Sequence, residues 1–169
     1  FKNLGVDGVK TGYLAVEKYS LASSLKKDTR RLIAVGSGFD SNAARTSQSI
    51  RLLSWGLRNT DTYEISKKNS TTFDIRSWLG KKDIIKGTTK EDVFITLSKK
   101  DSRFLKVSLD YNGPVKAPIE KDQEIAKLNI YKKDELIRSI PVYSSEELKK
   151  VNFLKSLFLS LNYLVWGDV

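Results

Sequence analysis

The 169-residue sequence contains no cysteine, no histidine and no methionine. Each absence removes a class of chemistry. Without cysteine there is no disulfide framework and no thiolate nucleophile. Without histidine the usual general base is gone, and a Ser-His-Asp triad cannot be assembled. Lacking both, the chain offers a metal only carboxylates and carbonyls, which argues against zinc. A methionine-free chain that opens with Phe1 reads as a processed or truncated piece.

What is present is an ordinary soluble composition, 40% hydrophobic and 30% charged, enough for one domain or two small ones. Thirty basic against twenty acidic residues leave a net charge of +10. That excess invites a nucleic-acid reading, so its distribution decides. Residues 1–58 carry ten basic and four acidic groups, residues 59–143 seventeen and thirteen, and residues 144–169 three of each. No arginine-rich run or basic helix stands out. The Lys-Lys pairs, such as Lys26-Lys27 and Lys99-Lys100, mostly have acidic neighbours and fit solvated turns and strand edges. Attraction to an anionic surface, lipid or cell-wall polymer, is the other use of such charge. A nucleic-acid partner is not expected.

The chain reads in three parts. In the first, Val6–Tyr13, Tyr19–Ser24 and Arg31–Gly36 suit strands. Asp40-Ser41-Asn42 then supplies caps for a helix over Ala43–Leu57, with Ile50, Leu53 and Leu57 on one face. Arg51 and Arg58 lie towards its C-terminal end, where cations suit the dipole. The second part predicts strands at Tyr63–Lys67, Thr72–Leu79, Val93–Ser98, Phe104–Tyr111, Glu124–Tyr131 and Leu136–Val142. Lys86-Gly87, Asn112-Gly113-Pro114 and Lys132-Lys133-Asp134 read as turns. A spacing of roughly ten residues fits a small sandwich or barrel.

In the third part, Ser144 and Glu147 have the spacing of a capping box and predict a helix start. Apolar residues then recur every three or four positions from Leu148 to Val165. A bilayer span needs about 20 predominantly apolar residues; this segment is short and broken by Lys155, Ser156, Ser160 and Asn162. Two readings stand. The helix docks on its own domain, or it lies in a membrane interface with Leu154, Phe158, Leu161, Tyr163 and Trp166 in contact with lipid. So much Leu and Phe after an all-β module favours the membrane.

The sharpest signal is Lys10-Thr11-Gly12 within Val6–Gly12. On a strand, the lysine can steer a carboxylate, the hydroxyl can donate to the same anion, and the glycine lets a ligand approach. A glycine-rich edge strand with a solvated lysine has the same spacing. The surrounding residues carry more. Gly5–Gly12, Tyr19–Ser23, Arg30–Val35 and Leu52-Leu53-Ser54-Trp55-Gly56 resemble the serine-type D-alanyl-D-alanine carboxypeptidases, the low-molecular-mass penicillin-binding proteins. Ala117–Ile125 and Ile140-Pro141-Val142 are similar to that family's β-rich C-terminal domain, and the terminal helix to its membrane anchor.

The resemblance implies an α+β chain. Residues 1–60 would be the C-terminal strands and helix of a penicillin-binding, transpeptidase-like (serine β-lactamase-like) catalytic domain. Residues 61–143 would be a small all-β sandwich domain, and 144–169 an amphipathic, membrane-anchoring helix. Such enzymes use S-x-x-K, a Ser-x-Asn element and K-T-G. Both of the first two precede K-T-G in the family, so the nucleophile and its base would lie upstream of Phe1. Ser23-Ser24-Leu25-Lys26 has the right spacing but follows the triplet at a strand end, and Ser160-Leu161-Asn162 sits on the terminal helix. Both matches are coincidental.

By resemblance, Lys10 lines the active site and helps hold the substrate carboxylate, and Thr11 binds it. Gly12 completes the triplet, and the backbone N–H of Tyr13 resembles an oxyanion-hole donor. Arg45 matches an arginine that supports carboxylate recognition. Many relatives have His-Thr after the triplet, where this chain has Tyr13-Leu14. The resemblance implies no metal and no cofactor, and its partners are peptidoglycan pentapeptide, β-lactams and the inner-membrane surface, in the periplasm with peripheral attachment. A non-catalytic, membrane-tethered β-domain scaffold at the cell wall is the rival reading.

Overall fold

The computed structural model describes residues 4–28 and 30–167. The chain divides into two units. One holds the described residues up to Tyr63 together with Thr96–Arg103; the other holds Glu64–Ile95 and the described residues from Phe104 onward.

In the first unit, alternation produces three antiparallel strands, β1 (Val6–Leu14), β2 (Lys18–Lys27) and β3 (Arg30–Phe39), ordered β1-β2-β3. Every second residue of β2 is buried over Leu21, Ser23 and Leu25. Helix α1 (Asn42–Asn59) covers that face, and Leu25, Ala34 and Leu53 form the core with Val6, Leu32 and Leu57 against them. The helix starts where the sequence places it, with Ser41 as N-cap accepting from Ala44 N at 3.0 Å. At its other end the carbonyls are met from β3. Arg30 donates to Leu57 O at 3.2 Å and to Thr60 O at 2.6 Å, satisfying groups a helix C-terminus leaves open. The opposite face of the sheet carries Ile33 and Val35, 69% and 72% exposed.

β4 (Thr60–Ser66) and β7 (Val93–Ser98) pair as a two-stranded sheet, and each has one end in either unit. The second unit adds β5 (Thr72–Trp78), β6 (Ile84–Thr88), β8 (Leu105–Asp110), β9 (Val115–Lys116), β10 (Glu124–Lys132), β11 (Glu135–Ser144) and α2 (Phe153–Trp166). The sheet order is β8-β10-β11-β6-β5-β9. Only Tyr143↔Thr88 and Ser144↔Gly87 join β11 to β6. Ile75 and Ile85 from one side of that seam share a core with Ile125, Leu128, Ile130, Ile140 and Val142 from the other. Among the described residues, twelve buried residues form this core and three form the core cluster of the first unit. At roughly 1.5–3 kcal/mol per large apolar side chain, only the larger core offsets much ordering entropy.

The structure corrects the sequence in two places. Lys86-Gly87 is not a turn but part of β6. A Cβ at Gly87 would stand 2.6 Å from Val142 Cγ1 and 2.8 Å from Ile75 Cδ1, so glycine is there for close packing. The capping box at Ser144 does not start a helix. Ser144 ends β11, and its N–H donates to Gln123 O at 2.8 Å. Leu148 and Val151 are buried in extended chain that pairs Ile119 with Leu148 and Gly80 with Lys150. Their three-residue spacing suited a helix, but cross-chain pairing wins. The helix begins at Phe153, capped by Asn152, which accepts from Lys155 N at 3.1 Å.

Candidate active site

The triplet lies on β1, which pairs with β2 on one side and is an edge of its sheet on the other. Pairing fixes where each side chain falls. Lys10 is opposite Ala22 and Ala22 opposite Val35; Thr11 is opposite Leu21 and Leu21 opposite Gly36. Thr11 therefore shares the face of buried Leu21, and Lys10 the open face of Val35. The strand presents the ammonium and the hydroxyl on its two sides, with a free edge between them. An open depression of about 350 Å³ is lined by Lys10, Thr11 and Gly12 with Ser20, Ala22 and Val35. Gly12 lies close over β2: a Cβ there would be 2.5 Å from Ser20 Oγ.

Tyr13 pairs with Tyr19, their rings 4.8 Å apart and tilted by 50°. The guanidinium of Arg45, near the start of α1, lies 5.6 Å from the centre of the Tyr19 ring, and Arg45 Nη2 donates to Asn42 Oδ1 at 2.5 Å. Thr11, Tyr13 and Tyr19 thus share a face, and Arg45 is held to it by an aromatic ring and an amide rather than by a carboxylate. Neighbouring cations are neutralised: Lys18 pairs with Asp40, and Arg31 with Asp7 at 2.7 Å. Among the described residues neither Lys10 nor Arg45 has an acidic partner. Lys10 Nζ donates to Thr11 O at 3.1 Å. Sequence reasoning missed the Tyr13–Tyr19–Arg45 ladder, since only pairing across a hairpin brings those residues together.

Helix α2 has no buried residue. Leu154 and Phe158 are 75% and 69% exposed and Trp166 is 79% exposed, with Leu161 also outward. Ser156, Leu159, Ser160 and Asn162 are the partly covered positions. The helix therefore turns most of its Leu and Phe away from protein. Tyr163, expected among the lipid contacts, also packs on Trp78 with ring centres 5.7 Å apart. No described helix is long and apolar enough to cross a membrane. Among the described residues no group of three or more Asp or Glu gathers as a metal would require.

The C-terminal domain profile of penicillin-binding protein 5 matches residues 61–150. The chain belongs to that family. The penicillin-binding protein 5 C-terminal domain thus accounts for the strands of the second unit, while the triplet and α1 precede it and α2 follows it. The chain is 34% identical over 154 residues to the D-alanyl-D-alanine carboxypeptidase DacF of Bacillus subtilis, covering 90% of this chain and 40% of that protein. It is 32% identical over 151 residues to DacD of Salmonella typhimurium, covering 88% and 38%. Penicillin binding protein 5 from Haemophilus influenzae superposes with a TM-score of 0.73 at 27% identity, over 88% of this chain and 44% of that one. DacD from Francisella tularensis gives 0.64 at 30%, over 87% and 37%. The homologues of this chain are D-alanyl-D-alanine carboxypeptidases, and its sheet-dominated fold with two helices matches part of penicillin binding protein 5 from Haemophilus influenzae. The chain spans about two fifths of the length of those curated relatives.

Proposed function

We propose that the chain is the C-terminal portion of a serine-type D-alanyl-D-alanine carboxypeptidase that removes the terminal D-Ala from peptidoglycan pentapeptides. Residues 1–60 belong to its catalytic domain, of the transpeptidase-like class; 61–143 are the β domain, and 144–169 carry the anchoring helix. The serine hydroxyl, its lysine base and the Ser-x-Asn element come from outside this chain. The serine adds to the carbonyl of the penultimate residue and the peptide bond breaks. The terminal D-Ala departs with a proton on its amine, and water later hydrolyses the acyl-serine. β-Lactams acylate the same serine.

The chain's own residues bind and orient. Lys10 and the Thr11 hydroxyl hold the terminal carboxylate from either side of the β1 edge, Arg45 adds positive charge on the Thr11 side, and Gly12 leaves room over Ser20. The Tyr13 N–H donates to the developing oxyanion, a role typically worth about 2.7–4 kcal/mol. The observation that carries this reading is that Lys10, next to Thr11, and Arg45, on the Tyr19 ring of the Thr11 face, both lack a carboxylate among the described residues. An anion completes the site. The exposed, apolar face of Ile33 and Val35 supports a second layer on this sheet, supplied by the rest of the catalytic domain. The outward Leu and Phe of α2 support interfacial attachment to the inner membrane from the periplasm.

Labelled penicillin should attach covalently to the full-length protein and not to residues 1–169 alone. Stable attachment to the short chain would overturn the location of the nucleophile. No attachment to the full-length protein, with no release of D-Ala from pentapeptide, would overturn the activity and favour a tethered scaffold.

A further inference from the structure

β1 has one irregularity, and it falls just before the triplet. Val6 pairs with Leu25 and Gly8 with Ser24, so Asp7 is an extra residue opposite a single step of β2. From Gly8 to Leu14 the pairing with β2 continues unbroken. A bulge of this kind sets register. Removing it would slide Lys10 and Thr11 by one place and exchange the faces they occupy.

The side chain of that extra residue is tied down. Arg31 Nη1 and Nη2 donate one to each oxygen of Asp7, both at 2.7 Å. Ser24 Oγ donates to Asp7 Oδ1 at 2.9 Å, and Arg31 Nη1 also donates to Ser24 Oγ at 2.7 Å. The three residues come from the three strands, so the contact joins both edges of the sheet across its centre. Ser24 pairs with Ile33, which puts Ser24, and with it Arg31, on the open face that Lys10 shares. Both charged side chains remain open to solvent, Arg31 at 45% and Asp7 at 41% exposure. An exposed ion pair adds little to global stability. A two-pronged guanidinium–carboxylate contact instead fixes position, because both N–H bonds must be aligned at once.

We infer that Asp7 and Arg31, bridged by Ser24, are positioning residues that hold the β1 bulge and so the register of Lys10 and Thr11. The role rests on the carboxypeptidase reading of the triplet. The Arg31 bonds, and then that of Ser24, hold the Asp7 carboxyl below its usual range, so the clamp stays charged at neutral pH.

The test uses the full-length protein, labelled penicillin, and the changes Asp7→Asn, Arg31→Lys and Lys10→Ala. Asp7→Asn and Arg31→Lys should each slow covalent attachment roughly ten- to a hundredfold, the scale of a small misplacement. The thermal midpoint should stay close to that of the parent. In a Lys10→Ala background, Asp7→Asn should cause a smaller further loss in the residual rate, because the clamp then has only Thr11 of that pair to position. An unchanged rate in Asp7→Asn, or a loss of equal size with and without Lys10, overturns the inference. Attachment undiminished by Lys10→Ala alone overturns the carboxypeptidase reading of the triplet instead. Should Asp7→Asn fail to fold, Ser24→Ala decides: it removes only the bridging hydroxyl and should show a smaller loss that also shrinks without Lys10, whereas a parent-like rate counts against the clamp.

Discussion

The hydroxyls of Ser66 and Thr89 meet at 2.7 Å, with Thr89 fully buried and Ser66 1% exposed. One donates and the other accepts, so each satisfies a polar atom that has no water to turn to. Thr89→Val removes one partner and should cost about 1–3 kcal/mol in chemical denaturation. The double change Ser66→Ala/Thr89→Val should recover part of that loss, since no orphaned hydroxyl remains. A double variant as unstable as the sum of the two singles would contradict the pairing.

Gly87→Ala should destabilise the second unit by about 1–3 kcal/mol through overpacking. The new methyl would press on Val142 and Ile75, both fully buried. Shortening one neighbour, Val142→Ala, should cost less in the Gly87→Ala background than alone. Denaturant midpoints of the four proteins would show it.

Two carboxylates sit below their ordinary range, Asp7 through Arg31 and Asp40 through Lys18. A folded value lower than the unfolded one contributes stability above the unfolded pKa of 3.8, and that contribution is lost as pH falls through the folded value. Stability should therefore decline on acidification below about pH 4, and less steeply in Asp7→Asn. Carboxyl carbon titration by NMR should place both aspartates below that unfolded value.

Replacing Leu154, Phe158 and Leu161 together by Ser should abolish sedimentation with anionic vesicles while leaving the unfolding midpoint nearly unchanged, since α2 buries none of its residues. Leu148→Ala, only 3% exposed, should do the reverse, at about 2–5 kcal/mol. Equal vesicle binding by parent and triple variant would refute an interfacial helix.

Strands with clean alternation were legible: Val93–Ser98 lies where the sequence puts it, and α1 starts at the predicted cap. β6 was not, because glycine signals a turn locally while its reason here is the Val142 side chain more than fifty residues away. The start of α2 was misjudged because Leu148 and Val151 fit a helical face as well as they fit pairing with distant segments. Lys10, Thr11 and Gly12 could be picked out as a contiguous motif. The Asp7–Arg31 contact could not, since 24 residues separate partners that only the three-stranded sheet brings together.

The outward turn of α2 also governs how the chain behaves where lipid is absent. Phe153, Leu154, Phe158 and Leu164 are each more than two-thirds exposed, so in plain buffer another copy of the chain can cover them. Concentration should then drive the molecules into clusters seamed by their helices, and mild detergent should return single chains by offering the same apolar face a substitute for its neighbour.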